Sequence, residues 1–144
     1  MKCITWNLKG IVGKASKQID AVIQLQPDIL AFQEGTLNSI DIIRKKLSVS
    51  YTNIVNSLEL VQDESVLVGP RRYGVLIATN YKIQTLDPKL FDIPWQERVL
   101  SANIIHPKET IEFHTAYIPP GSTNRWKKIE TLEGIYKQLA IQTD

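Results

Sequence analysis

Two short apolar runs near the start of the chain each end in a polar residue. Cys3-Ile4-Thr5-Trp6 runs into Asn7, and Ile29-Leu30-Ala31-Phe32 runs into Gln33-Glu34. After the first run, Lys9 to Gly13 reads as a loop. Ala15, Ile19, Val22, Ile23 and Leu25 then recur at helical spacing, which predicts an amphipathic helix over about Ala15 to Leu25, ended by Gln26-Pro27. The unit is strand, helix, strand. In such units the two strands run parallel, and ligands gather beyond their carboxyl ends.

Gly35 to Asn38 reads as a polar turn, followed by a second helix from near Ser39 with Ile40, Ile43 and Leu47 as its apolar stripe. Arg44-Lys45-Lys46 lies towards its end, where the helix dipole favours cations. From Tyr51 the pattern shortens to β-like runs: Tyr51–Val55, Ser65–Val68, Gly74–Thr79, Tyr81–Leu86, Arg98–Ile105 and Thr110–Ile118. His106-Pro107-Lys108-Glu109 reads as the connection of a hairpin. Trp126, Ile129, Leu132, Tyr136 and Leu139 then mark a helix over about Asn124 to Gln142, in which Gly134 costs about 1 kcal/mol relative to alanine. The order βαβα, several strands, then α predicts a layered α/β domain whose sheet, covered by helices on one face, must find cover on the other.

Composition narrows the chemistry. A chain of 144 residues is one domain's worth, with 17 basic against 15 acidic residues, so there is no polyelectrolyte footprint. A single cysteine excludes an internal disulfide and a cysteine-based zinc site, and Cys3, in the first apolar run, is expected to be buried. No charged-then-apolar leader and no bilayer-length apolar run is present, which gives the expectation of a cytoplasmic protein away from membranes.

Several residues could carry chemistry. Glu34, at the end of a strand, is either a surface acid or a magnesium ligand held on a rigid base. Asn7 is either an Asx-turn residue or the partner of Glu34 at one sheet edge. Tyr117 ends the last strand before Pro119-Pro120, as a rim tyrosine or a phosphate-site phenol. His114, by alternation, faces away from Phe113, Thr115 and Tyr117 and is read as structural. Arg98 either forks onto a phosphate or braces an acid. Arg71-Arg72-Tyr73 is a solvated turn or a nucleic-acid contact. The stretch Gly10 to Lys14 fails the P-loop pattern at Leu8 and Ala15. HExxH and GxSxG are absent, and no serine has a plausible base in the sequence.

Together these stretches resemble the endonuclease/exonuclease/phosphatase superfamily, in its exonuclease III-like, apurinic-endonuclease branch. The resemblance is carried by Ile4-Thr5-Trp6-Asn7-Leu8-Lys9-Gly10, Gln26 to Glu34, Tyr73-Gly74-Val75-Leu76-Ile77, Glu97-Arg98-Val99 and Ala116-Tyr117-Ile118-Pro119. It implies a four-layer αββα sandwich and phosphoester hydrolysis with Mg (or Mn), by in-line attack of an activated water. It also implies Glu34 as a metal ligand, and Asn7 and Tyr117 as catalytic residues that orient the metal site and phosphate. Arg98 is the candidate substrate contact.

Two departures matter. Lys9 stands where repair endonucleases often carry an acidic or amide residue. The family's later Gly-Asp-x-Asn strand and Asp-His pair do not occur. Residues 1–144 are therefore expected to be the N-terminal half of the family's domain, truncated before the Gly-Asp-x-Asn strand and inactive alone. The expected substrate is DNA or another phosphoester. The alternative is a non-catalytic assembly module, with its open sheet face covered by a second copy in a homodimer or by a complementary C-terminal half. A third reading, an unrelated α/β nucleotide-binding domain, ranks lowest because the sequence has no glycine-rich phosphate loop.

Overall fold

The computed structural model describes residues 1–9 and 12–142. Strand β1 (Cys3–Asn7) is followed by helix α1 (Val12–Gln24), strand β2 (Ile29–Gly35) and helix α2 (Leu37–Leu47). Of the loop expected over Lys9–Gly13, Gly10 and Ile11 lie outside the described residues, and Gly13 already belongs to α1. Leu25 falls past the end of α1 and is exposed, while Ile19 and Val22 are buried. The second helix begins two residues earlier than expected because Thr36 caps it. The Thr36 hydroxyl accepts from Ser39 N, and Ser39 Oγ accepts from Thr36 N at 2.8 Å, which satisfies two otherwise free backbone donors.

The remaining strands are β3 (Asn53–Asn56), β4 (Gly74–Thr79), β5 (Lys82–Thr85), β6 (Val99–Ile105) and β7 (Thr110–Ala116). The run Ser65–Val68 is not a strand. Asp63 caps a short helical turn there, accepting from Ser65 N at 3.0 Å and from Ser65 Oγ at 2.6 Å. The hairpin at His106–Glu109 forms as expected, closed by His106 N donating to Glu109 O at 3.1 Å. A short helix α3 (Gly121–Asn124) turns at Arg125, whose φ is +46°, into helix α4 (Trp126–Gln142).

The strands make two sheets. One is mixed, in the order β1-β2-β4-β3 with β1 and β2 parallel; the other is antiparallel, β5-β6-β7. Helices α1 and α2 cover one face of the first sheet through Ile19, Val22, Ile40, Ile43 and Leu47 against Leu30, Phe32, Leu76 and Ala78. On its other face, Ile29, Val75 and Ile77 pack on Leu100, Ala102 and Ile104 of the second sheet. The expected second copy is therefore not the cover of that face: the chain's own β5–β7 supplies it. Helix α4 completes an αββα layering on the far side, where Ile135 joins Phe91, Ile93, Val99 and Ala116.

Two features of this arrangement overturn expectations. The second sheet packs beneath β2, β3 and β4, while Cys3, Thr5 and Asn7 stand exposed on edge strand β1. Cys3 is accordingly exposed rather than buried. Helix α4 docks by the wrong face for its pattern. Thr131 and Gly134 are buried, whereas Trp126, Ile129, Leu132, Tyr136 and Leu139 are exposed. Gly134 explains the docking, since a Cβ there would sit 2.2 Å from Asp92 O. Among the described residues no helix is long and apolar enough to cross a membrane.

Candidate functional site

The parallel pairing of β1 with β2 sets Asn7 beside Gln33, one residue short of Glu34. A β-bulge then intervenes: Gln33 pairs with Val75 and Gly35 with Gly74, leaving Glu34 as the extra residue. Glu34 has φ +62°, a left-handed conformation that costs a side-chain-bearing residue about 1–3 kcal/mol and persists only where surrounding contacts impose it. The bulge re-aims its carboxylate along the sheet edge. Asn7 Nδ2 donates to Glu34 Oε1 at 2.9 Å.

Asn7 also makes an Asx turn, its Oδ1 accepting from Lys9 N at 2.8 Å. Both sequence readings of Asn7 therefore hold at once. Because Oδ1 is occupied by a backbone N–H, the amide nitrogen is what faces Glu34, and Asn7 orients the carboxylate. Lys9 is exposed, with φ +54°.

Tyr117 follows β7, anchored by Tyr117 N donating to Arg98 O at 2.8 Å. Its phenol is held above the ordinary tyrosine value, first by burial and then by hydrogen bonding to the Glu34 carboxylate, with Arg98 acting in the opposite sense. Arg98 stands behind it, 1% exposed, with its guanidinium carbon 4.3 Å from the Tyr117 ring centroid and 5.2 Å from that of Trp95. Arg98 Nη2 donates to Pro70 O, while Nε and Nη1 have no hydrogen-bond partner. Burial lowers the affinity of that guanidinium for its proton, and Tyr117, Glu97 and Glu34 oppose the shift. Asn7, Glu34, Tyr117 and Arg98 thus form one connected cluster. A cavity of about 390 Å³, lined by Tyr73, Arg98, Tyr117 and Asn124 among others, opens beside it.

Sequence reasoning missed the support of this cluster. Glu97 is fully buried and takes both Arg71 Nε (2.7 Å) and Nη2 (3.1 Å), so Arg71 is an internal clamp rather than a solvated or nucleic-acid-facing residue. Glu97 and Arg98 together latch the turn Gly69–Arg72 to the start of β6. An acid and a base side by side before a strand was the available signal. His114 does face the other side of the second sheet, where its Nδ1 lies 2.7 Å from Ser101 Oγ and its Nε2 3.0 Å from Glu112 Oε1. Ser101 thus has a histidine partner that its sequence position concealed. Phe91 packs edge-on against that ring, and Ser101 is buried.

Among the described residues no three His, Cys, Asp or Glu side chains converge as a ready-made metal cage. The donor set fits magnesium nonetheless, because that ion is commonly held through one or two carboxylates, with water and substrate oxygens completing its shell. Glu34 is such a carboxylate, half-exposed at the rim and aimed by an amide.

The model of the Endonuclease/Exonuclease/phosphatase family matches residues 4–140. The chain belongs to this family. Among solved structures, an AP endonuclease from Archaeoglobus fulgidus is similar at TM-score 0.70 and 21% identity, over 100% of this chain and 52% of that one. TDP2 of D. rerio, solved with a single strand DNA product, gives TM-score 0.69 at 14% identity over 97% and 54%. TDP2 from Caenorhabditis elegans gives 0.60 at 14% over 99% and 43%. The chain therefore spans about half the length of these structures, and the likeness is one of fold. Curated proteins contain no match to it.

Proposed function

We propose that residues 1–144 form the metal- and phosphate-binding portion of a magnesium-dependent phosphodiesterase acting on nucleic acid, and correspond to the N-terminal half of the family's domain. The single observation that carries this reading is the Asn7–Glu34 contact of 2.9 Å at the carboxyl ends of two parallel strands. A surface acid would need neither the left-handed backbone nor the amide that aims it. Glu34 holds the cation, with Mn as a substitute for Mg, and Asn7 fixes the carboxylate. A divalent metal bound there supplies Lewis acidity and a water of lowered pKa. The Tyr117 phenol, kept protonated, donates to a phosphoryl oxygen, and Arg98, buried behind the Tyr117 ring, braces that ring instead of touching the anion.

DNA is the favoured substrate because the structural relatives include an AP endonuclease and a TDP2 bound to a DNA product. The chain alone is expected to be inactive, since catalytic groups act as a unit and part of the set is missing. Incubating it with abasic-site DNA and magnesium tests this. No cleavage is expected, while Mn²⁺ binding is expected to survive and to disappear in Glu34→Ala. Cleavage that Glu34→Ala abolishes would refute the inactivity and keep the site. Mn²⁺ binding indifferent to Glu34→Ala would remove the metal reading.

A second reading is favoured by the exposed stripe Ile129, Leu132, Tyr136 and Leu139 on α4. In that reading the chain is an assembly module that pairs with a second copy or with a complementary C-terminal half. Light scattering at micromolar concentration decides between a dimer and a monomer.

A further inference from the structure

Across most of their contact the two sheets meet through apolar side chains: Ile29, Val75 and Ile77 on one, Leu100, Ala102 and Ile104 on the other. Contact of that kind is non-directional, and does not by itself fix how far one sheet slides over the other. At the site end Gln33 interrupts it. Gln33 Nε2 donates to Thr5 Oγ1 at 2.8 Å and to Thr115 Oγ1 at 3.1 Å. A carboxamide nitrogen carries two N–H bonds, so each hydroxyl takes one.

The placement of these three residues is specific. Thr5 lies two positions before Asn7 on β1, Thr115 lies on β7 two positions before Tyr117, and Gln33 lies immediately before Glu34 on β2. One amide therefore ties together the strands that deliver the amide, the acid and the phenol of the site, and it does so across the layer boundary. An apolar residue would fill this position without a polar group to satisfy, so stability alone does not account for Gln33.

We infer that Gln33 is a positioning residue. It sets the register of the second sheet against the first, and so holds the Tyr117 hydroxyl against the Asn7–Glu34 pair. This rests on the reading of Glu34 as the residue that holds the cation.

The test compares Gln33→Met, which keeps length and removes the amide, with Thr115→Val, which keeps shape and removes the hydroxyl, and with Thr115→Ser, which keeps the hydroxyl. Mn²⁺ affinity is measured for the whole chain by water-proton relaxation, well below each variant's melting temperature, alongside Glu34→Ala. Gln33→Met and Thr115→Val are each expected to weaken binding about tenfold, the usual scale for a residue that orients a metal ligand. Thr115→Ser should bind like the parent, and the double variant should be no weaker than Gln33→Met, because that variant already cuts the bond to Thr115.

Parent-like binding in folded Gln33→Met and Thr115→Val, with binding lost in Glu34→Ala, overturns the inference and leaves the metal reading standing. Unchanged binding in Glu34→Ala removes that reading and this inference with it. Should Thr115→Val fail to fold, Gln33→Met decides alone: its binding is weakened or it is not.

Discussion

Helices α2 and α4 carry the same kind of apolar stripe, and the fold treats them in opposite ways. In α2, Ile40, Ile43 and Leu47 are buried against the first sheet, whereas in α4 the stripe of Ile129, Leu132, Tyr136 and Leu139 faces outwards. Helix α4 instead docks through Thr131, Gly134 and Ile135. Helical periodicity says that a face wants cover. It does not say where the cover comes from.

Point substitutions can break this contrast. Leu47 is fully buried and Leu132 is 45% exposed, so truncation should separate them sharply. Leu47→Ala is expected to cost about 2–5 kcal/mol of unfolding free energy in urea titrations. Leu132→Ala should stay within about 0.5 kcal/mol in the monomer. Equal losses would mean that the stripe of α4 is covered in solution.

Gly134→Ala comes next. Alanine favours helix by about 1 kcal/mol. Here its Cβ would nonetheless meet Asp92 O at 2.2 Å, so the net effect should be a loss of about 1–3 kcal/mol, read from thermal melts. A stabilised Gly134→Ala variant would show that α4 does not dock where described. The capping contrast is smaller. Thr36→Ala removes the box that starts α2 and should cost about 1 kcal/mol.

The smallest effect is electrostatic. Burial raises the Tyr51 phenol above its ordinary value, with Asp28 adding to the shift, and its hydroxyl donates to Pro27 O at 3.0 Å. A phenol whose folded value lies above the unfolded one stabilises fully below about pH 10, and that contribution is lost as pH rises through the folded value. Stability of the first core should therefore decline on the alkaline side, and less steeply in Tyr51→Phe. Asp63 has the opposite sign. Its hydrogen bonds from Ser65 hold the carboxyl below the ordinary range, so its small contribution is present above that range and fades as pH falls. Urea midpoints across both limbs would reveal either slope, or its absence.

What could be read from the residues alone follows the same division. The strand–helix–strand start, the hairpin at His106–Glu109 and the meeting of Asn7 with Glu34 were legible because each rests on spacing within one chain segment or on the handedness of a crossover. The exposure of Cys3 was not, because an apolar run looks the same on a central strand and on an edge strand. Nor was the capped turn at Ser65, where a short polar bond outcompetes a weak strand pattern. Nor was the burial of Glu97 and Arg98, which Arg71 and an aromatic cage close over. The Arg71–Glu97 pair joins residues 26 positions apart, and no local pattern encodes it.

The extra residue in β2 has a consequence for anyone redesigning this protein. Deleting Glu34 and placing the acid at position 35 would restore an unbroken ladder and relieve the left-handed backbone. Side chains in a regular strand alternate, so an acid following Gln33 would then be turned towards the layer that holds Phe32 and the helices. The regularised strand would be easier to fold, but its acid would no longer meet Asn7: here irregularity and aim are the same feature.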